Sequence, residues 1–276
     1  MSAATDLLLL AEATAREAGL LLVEGQRGGV EVAQTKSSPT DVVTAVDLAS
    51  EQLIRERIFA ARPDDGFVGE EDDDVEGSTG VTWIADPIDG TVNYLYGIEE
   101  FAVSIAATFE GTVVAGVVHN PMTDETFTAA LGEGARLNGR VITVGSTIEM
   151  SHALVGTGFS YVAEVRAAQS VEFSRLLPRI RDIRRAGAAA LDLCSVACGR
   201  FDAYVERGLQ PWDYAAGRLI VTEAGGRVEG LHGSEAGELI VTAASASLYD
   251  AFHDALIAAG YGDWPLPDWP PRRTPR

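Results

Sequence analysis

Apolar residues recur at helical spacing from Thr5 to Val23 (Leu7, Leu10, Ala11, Ala18, Leu21, Leu22), which predicts an amphipathic helix stopped by Gly25. A short strand over Val30–Ala33 leads into the polar turn Lys36–Thr40, and a second helix is predicted from Thr44 to Ala61, closed by Arg62-Pro63. Phe67–Gly69 and Val81–Ala85 read as short buried strands flanking an acidic loop, Glu71–Thr79. β-rich runs follow at Ala102–Phe109, Thr112–His119, Thr126–Ala129 and, with a weaker pattern, Ala135–Val144. Further on the pattern alternates. Strands are predicted at Ala153–Gly156, Ile183–Arg185, Asp202–Glu206 and Leu239–Ala243, and helices at Val162–Leu177, Ala188–Cys198, Trp212–Glu223 and Ser247–Ala259. An antiparallel-rich first part and an alternating second part predict stacked helix and sheet layers, a mixed α/β protein. With no linker-like segment between them, the chain reads as one domain over 1–262, with sub-halves of about 1–145 and 146–262. A tail, 263–276, is rich in proline and arginine.

Composition narrows the function classes. At 46% hydrophobic and 22% charged, the 276 residues can build a sizeable core. The 21 basic and 41 acidic side chains leave a net charge of −20, so neither direct nucleic-acid binding nor membrane attachment by charge is expected. Only Cys194 and Cys198 occur, without partners for a zinc site, and they read as small packing residues of a reducing interior. No positive segment precedes Leu7–Leu10, so no signal peptide is predicted, and the most apolar run, Phe101 to Val118, is interrupted by Glu110 and Gly111. A cytoplasmic protein is expected.

Candidate chemistry centres on Trp83-Ile84-Ala85-Asp86-Pro87-Ile88-Asp89-Gly90-Thr91. An apolar strand ends in two aspartates three apart, and Gly-Thr then opens a helix. Carboxylates at a strand end are rigidly presented hard-oxygen donors of the kind Mg²⁺ prefers, and a glycine at a helix start lets backbone N–H groups approach a phosphate. Taken alone, the same stretch serves equally well as a polar turn whose aspartates cap a helix. Phe67–Glu71 is a second strand ending in acid, either a ligand or the start of a solvated loop. Asp213, in Gln210–Gly217, is either an ordinary charge at a helix start or a ligand. The histidines His119, His152, His232 and His253 match no metal-ligand spacing, and no Gly-x-x-x-x-Gly-Lys-Ser/Thr loop occurs.

The ordered set of these motifs carries more than any one of them. Lys36-Ser37-Ser38-Pro39-Thr40-Asp41, Thr44-Ala45-Val46-Asp47, Gly69-Glu70-Glu71, Asp86 through Thr91, Gly132 through Gly139, Trp212-Asp213 with Gly217, and Val221 through Gly226 follow one another along nearly the whole chain. In this the sequence resembles the inositol monophosphatases, Mg²⁺-dependent and lithium-sensitive phosphatases related to fructose-1,6-bisphosphatase, and within them the bacterial SuhB-type branch.

The resemblance implies a layered α-β-α-β-α sandwich, a homodimer and a small phosphate-ester substrate. It implies that Glu70, Asp86 and the Ile88 carbonyl hold one Mg²⁺, that Asp86, Asp89 and Asp213 hold a second, and that a weaker third lies near Glu70. Asp47 and Thr91 match the pair that orients and deprotonates the attacking water, with Glu70 beside them. Gly90 and Thr91 would bind the phosphate, and Ala189, Glu206 and Asp213 the rest of the substrate. Lys36 matches a lysine near the third ion. The implied substrate is myo-inositol 1-phosphate. Fructose 1,6-bisphosphate, histidinol phosphate and 3′-phosphoadenosine 5′-phosphate are the sibling alternatives, and a non-catalytic regulator of protein or RNA partners is the alternative of another class.

Elementary electrostatics agrees with this ligand set. Carboxylates converging on one pocket repel unless divalent ions neutralise them, and such ions reconcile an acidic protein with a dianionic substrate. The same repulsion predicts that the loop Glu71–Thr79 is mobile until metal binds.

Overall fold

The computed structural model describes residues 3–28, 32–35 and 42–263, so Lys36, the Lys36–Thr40 turn and the tail beyond residue 263 lie outside the described residues. Helix α1 (Ala3–Gly28) is followed by an antiparallel pair, β1 (Val32–Thr35) and β2 (Val42–Thr44), and by helix α2 (Ala45–Ala61). α1 runs past Gly25, which is needed there for close approach rather than as a stop. A Cβ on it would stand 2.8 Å from the hydroxyl of Tyr94, which donates to the Leu22 carbonyl at 2.7 Å. Thr44 caps α2 by accepting from the N–H groups of Val46 and Asp47, while the Asp47 carboxylate accepts the Thr44 N–H at 2.7 Å.

Strands β3 (Gly66–Gly69), β4 (Val81–Asp89), β5 (Ala102–Phe109), β6 (Thr112–Asn120), β7 (Glu125–Ala130), β8 (Ala135–Leu137) and β9 (Arg140–Val141) form a sheet in that order. Only β3 and β4 are parallel; the rest is an antiparallel meander. The short helix α3 (Thr91–Tyr96) links β4 to β5. The second sheet has the order β11-β10-β12-β14-β13, built from β10 (Leu154–Thr157), β11 (Asp182–Arg184), β12 (Ala203–Glu206), β13 (Gly226–Glu229) and β14 (Val241–Ser245). Helices α4 (Ala163–Leu176), α5 (Ala189–Ala197), α6 (Pro211–Glu223) and α7 (Tyr249–Ala259) complete the fold.

The layers follow from which faces are apolar. Leu7, Ala11 and Ala18 of α1 and Ile54 and Ile58 of α2 pack on Trp83, Ile105 and Val117 of the first sheet. On its other face lie α5 and α6, whose apolar residues (Leu193, Val196, Leu219, Ile220) are also covered by Tyr204, Val241 and Ala243 of the second sheet. Phe173 of α4 and Phe252 and Leu256 of α7 close the far side against Val155 and Val205. This is the α-β-α-β-α sandwich. Cys194 and Cys198 of the middle layer are free thiols, the first buried and the second half-buried. Among the described residues no helix is long and apolar enough to cross a membrane.

Other local features stand out as well. The run Ala135–Val144 divides at an Asn138-Gly139 turn into β8 and β9. Strand β13 has no counterpart in the predicted elements, since its only fully buried apolar residue is Val228, set between Arg227 and Glu229. The loop Glu71–Thr79 makes hydrogen bonds of its own. Phe67 and Val75 exchange backbone hydrogen bonds of 2.8 Å, Ser78 N–H donates to the Asp64 carbonyl at 2.8 Å, and the Thr79 hydroxyl donates to Asp65 at 2.6 Å.

Candidate active site

Strand β4 continues through Asp89, four residues beyond the apolar run that predicted it. In an unbroken strand residues three apart face opposite sides. Here the register shifts between them: Asp86 pairs with Ser104 and Asp89 with Ala102, so three residues of β4 span what two span on β5. The bulge brings both aspartates to one side of the sheet. Gly90 follows at φ 95°, a left-handed conformation that starts α3 without a steric cost.

Neighbouring elements supply the other acids. Glu70 stands at the end of β3, parallel to β4 and in register with it up to Gly69 and Ala85. The Ser104 hydroxyl donates to the Trp212 carbonyl at 3.2 Å, seating the start of α6, and with it Asp213, over β5. Asp89 accepts the first N–H groups of α5, from Ala189 at 3.0 Å and Ala190 at 2.7 Å. Asp86 accepts the Ile88 N–H at 2.9 Å, and Asp213 the Gln210 N–H at 2.6 Å.

The charges of this group act on one another. Burial pushes the Asp86 carboxyl well above the ordinary carboxylate range, and the charges of Glu70, Asp89 and Asp213 push it further. Asp213 is raised by burial and then by Glu70 and Asp89. Asp89 is raised to about 7 by burial, against the pull of the Ala190 and Ala189 N–H groups and with the charges of Glu206 and Glu70 adding to the rise. Among the described residues no three His, Cys, Asp or Glu side chains stand, as placed, in an arrangement that could hold a metal ion. The donor chemistry nonetheless fits a hard divalent cation, which would remove the mutual repulsion and match the all-oxygen set.

Asp47 lies fully buried on the first turn of α2. Its carboxylate takes the Thr44 hydroxyl at 2.5 Å on one oxygen, and the Thr91 hydroxyl stands 3.2 Å from the other and 3.1 Å from the Ile88 carbonyl. Burial raises Asp47 to about 6, the Thr44 bonds oppose this, and the Glu70 charge adds to it. On the second sheet Glu206 accepts the Tyr204 hydroxyl at 2.5 Å, and burial raises its carboxyl against the pull of Tyr204 and Arg185. Gly158 leaves room for that carboxylate, since a Cβ there would overlap it.

Asp47, Glu70, Asp86, Ile88, Asp89, Gly90, Thr91, Ala189, Glu206 and Asp213 thus belong to one neighbourhood built from both sheets and the middle helices. A model of the inositol monophosphatase family matches residues 4–260. The chain belongs to this family. It is 44% identical over 275 residues to the inositol-1-monophosphatase SuhB of Mycobacterium tuberculosis, covering 94% of each chain. It is 37% identical over 262 residues to the Nus factor SuhB of Escherichia coli, covering 91% of this chain and 98% of that one. Its fold matches the crystal structure of the extragenic suppressor protein SuhB of Bartonella henselae with a TM-score of 0.86 at 35% identity, over 91% of this chain and 98% of that one.

Sequence reasoning missed residues that the fold places around this family site. Glu51 is buried one helical turn after Asp47, and Asp192 of α5 is buried with one oxygen lacking a hydrogen-bond partner. Both are acids at otherwise buried helix positions, a signal the chain does carry.

Proposed function

We propose that this member of the inositol monophosphatase family is a Mg²⁺-dependent phosphatase that hydrolyses a small phosphate monoester, myo-inositol 1-phosphate foremost. The reading rests on the mutually repelling carboxylates of buried Asp86 and Asp89 and half-buried Asp213 and Glu70, set beside the Thr91–Asp47 pair. Glu70, Asp86 and the Ile88 carbonyl would hold one ion, Asp86, Asp89 and Asp213 a second, and a weaker third would lie near Glu70. Bound there, such ions would offset the charge of the phosphate dianion and of the departing alkoxide and would acidify the attacking water.

The chain's own groups do the rest. The Thr91 hydroxyl donates to Asp47, which leaves its oxygen to accept a hydrogen from water. As the water oxygen attacks phosphorus its proton passes to Thr91 and the threonine proton to Asp47, whose carboxylate oxygen lies 3.2 Å from that hydroxyl. The phosphorus–oxygen ester bond breaks on the opposite side, and the leaving alkoxide takes a proton from solvent. Backbone N–H groups of Gly90 and Thr91 orient the phosphate. Glu206, held by Tyr204, accepts from ring hydroxyls of the alcohol, with Ala189 and Asp213 forming the adjoining wall. The working form in this reading is a cytoplasmic homodimer.

Phosphate release from myo-inositol 1-phosphate, fructose 1,6-bisphosphate, histidinol phosphate and 3′-phosphoadenosine 5′-phosphate, with Mg²⁺ and with chelator, tests the proposal. Turnover led by the inositol ester and abolished by chelator is expected. No release from any of the four in Mg²⁺ would favour a second reading, a regulatory role like that named for the Escherichia coli relative.

A further inference from the structure

Helix α2 carries Asp47, Glu51 and Arg55 at intervals of four residues, which places all three on one face. Asp47 meets Thr91. Glu51, only 1% exposed, reaches beneath the end of β3. Its carboxylate accepts the N–H of Glu71 at 2.8 Å and of Asp72 at 3.1 Å. On the near side, a Cβ added to Gly69 would stand 2.5 Å from the same carboxylate. The Glu51 head group is therefore pressed against the backbone on both sides of Glu70. Arg55 completes the device: its Nε donates to Glu51 at 2.9 Å, and its guanidinium lies 4.3 Å from the ring centre of Phe67 on β3.

We propose that Glu51 is a positioning residue that fixes the backbone on either side of Glu70 and thereby sets the affinity of the site for a divalent cation. A buried acid is costly for folding unless it is paired and its oxygens are hydrogen-bonded. Here it supplies two acceptor oxygens aimed at two successive N–H groups of an acidic loop, and Arg55 offsets its charge. Through α2 the same helix then places the proton acceptor Asp47 and the ligand Glu70 relative to each other. The inference rests on the metal-site reading above.

Three measurements on the full chain test it: calorimetric titration with Mg²⁺, hydrogen exchange of the Glu71 and Asp72 amides in chelator, and the melting temperature. Glu51→Asp keeps the charge but withdraws the carboxylate by one methylene. It should weaken Mg²⁺ binding about tenfold, the scale seen when a residue that orients a metal ligand is lost, and speed exchange at both amides. Glu51→Gln keeps an acceptor oxygen at full reach and should lose less. A glutamate with a merely structural role would lower the melting temperature and leave the Mg²⁺ affinity of the folded protein unchanged. Wild-type affinity in Glu51→Asp, or Glu51→Gln binding more weakly than Glu51→Asp, overturns the positioning role alone. Failure of the wild type itself to bind Mg²⁺ overturns the metal-site reading and this inference with it.

Discussion

Asp65, at the turn before β3, offers a quantitative test of how the acidic loop is held. Its carboxylate, 2% exposed as a residue, accepts from the Thr79 hydroxyl at 2.6 Å, the Trp83 indole N–H at 2.9 Å, Arg62 Nη2 at 3.1 Å and Arg62 Nε. Asp65→Ala removes all four bonds, but they do not count equally. Thr79 and Arg62 can turn to water, whereas Trp83 is fully buried and its N–H is stranded. A stranded buried donor costs about 1–3 kcal/mol and each bond to a charged group contributes about 1.5–3, less where water replaces it. We expect Asp65→Ala to lower the unfolding free energy by about 3 kcal/mol in chemical denaturation followed by circular dichroism. In a Trp83→Phe background, where no indole is stranded, the same change should cost at least about 1 kcal/mol less. Acid adds a sign. Burial alone would raise the Asp65 carboxyl, but the bonds from Arg62, Thr79 and Trp83 outweigh it and hold the group below its ordinary value. Its stabilisation is therefore present above the unfolded carboxylate pKa near ~4 and lost as pH falls through the folded value, so wild type and Asp65→Ala should converge in acid. Equal costs of Asp65→Ala with and without the Trp83→Phe change, or a gap that persists in acid, would refute the reasoning.

Asp86→Asn, which removes the carboxylate proposed to bridge both ions, should lower kcat beyond the roughly 10–100-fold expected of a residue that only orients a ligand, while Glu206→Gln should mainly raise KM, by about tenfold; equal and mild effects would contradict both roles. Asp47, raised to about 6 in the absence of metal, binds its proton more tightly when folded, so its protonation stabilises the chelated protein below the unfolded pKa and that contribution is lost as pH rises through 6. The shift corresponds to roughly 3 kcal/mol, and Asp47→Asn should flatten this part of the stability profile; identical profiles in chelator would refute it. Lithium at millimolar concentration should inhibit uncompetitively with substrate, and initial-rate kinetics at varied substrate checks this.

Long periodic segments were legible in the sequence because one face decides them: α1 from its Leu and Ala spacing, β5 and β6 from continuous apolar runs covered on both sides. The Asp86–Thr91 stretch was legible because an apolar strand that ends in acids and a glycine is a local pattern. What escaped depends on partners distant in sequence. Gly25 reads as a stop until Tyr94 is seen beside it, and the bulge between Asp86 and Asp89 exists only relative to β5. The loop Glu71–Thr79 reads as self-repelling until Glu51 and Asp65 are seen beneath it, twenty residues upstream of Glu71 in one case and fourteen upstream of Thr79 in the other. An acid's role is set by the donors that reach it, and those donors are chosen by tertiary packing.

The middle helical layer therefore has two duties that cannot be separated. Its apolar faces join the two sheets through Leu193, Val196, Leu219 and Ile220. Its N-termini at the same time deliver Ala189 and Ala190 N–H to Asp89 and place Asp213 over β5 through the Trp212 carbonyl. A shift of α5 or α6 by a fraction of an ångström to fill a cavity would move hydrogen-bond donors at the acids as well. Close-packed interiors transmit such displacements rather than absorb them. Truncations in this layer should thus cost activity out of proportion to their distance from the carboxylates, while equal truncations in α7, which packs on the far face of the second sheet, should cost stability alone. The position of the acids is a property of the five-layer packing, and α2 adds a lever outside the middle layer, where Asp47 and Glu51 meet the site from the opposite side.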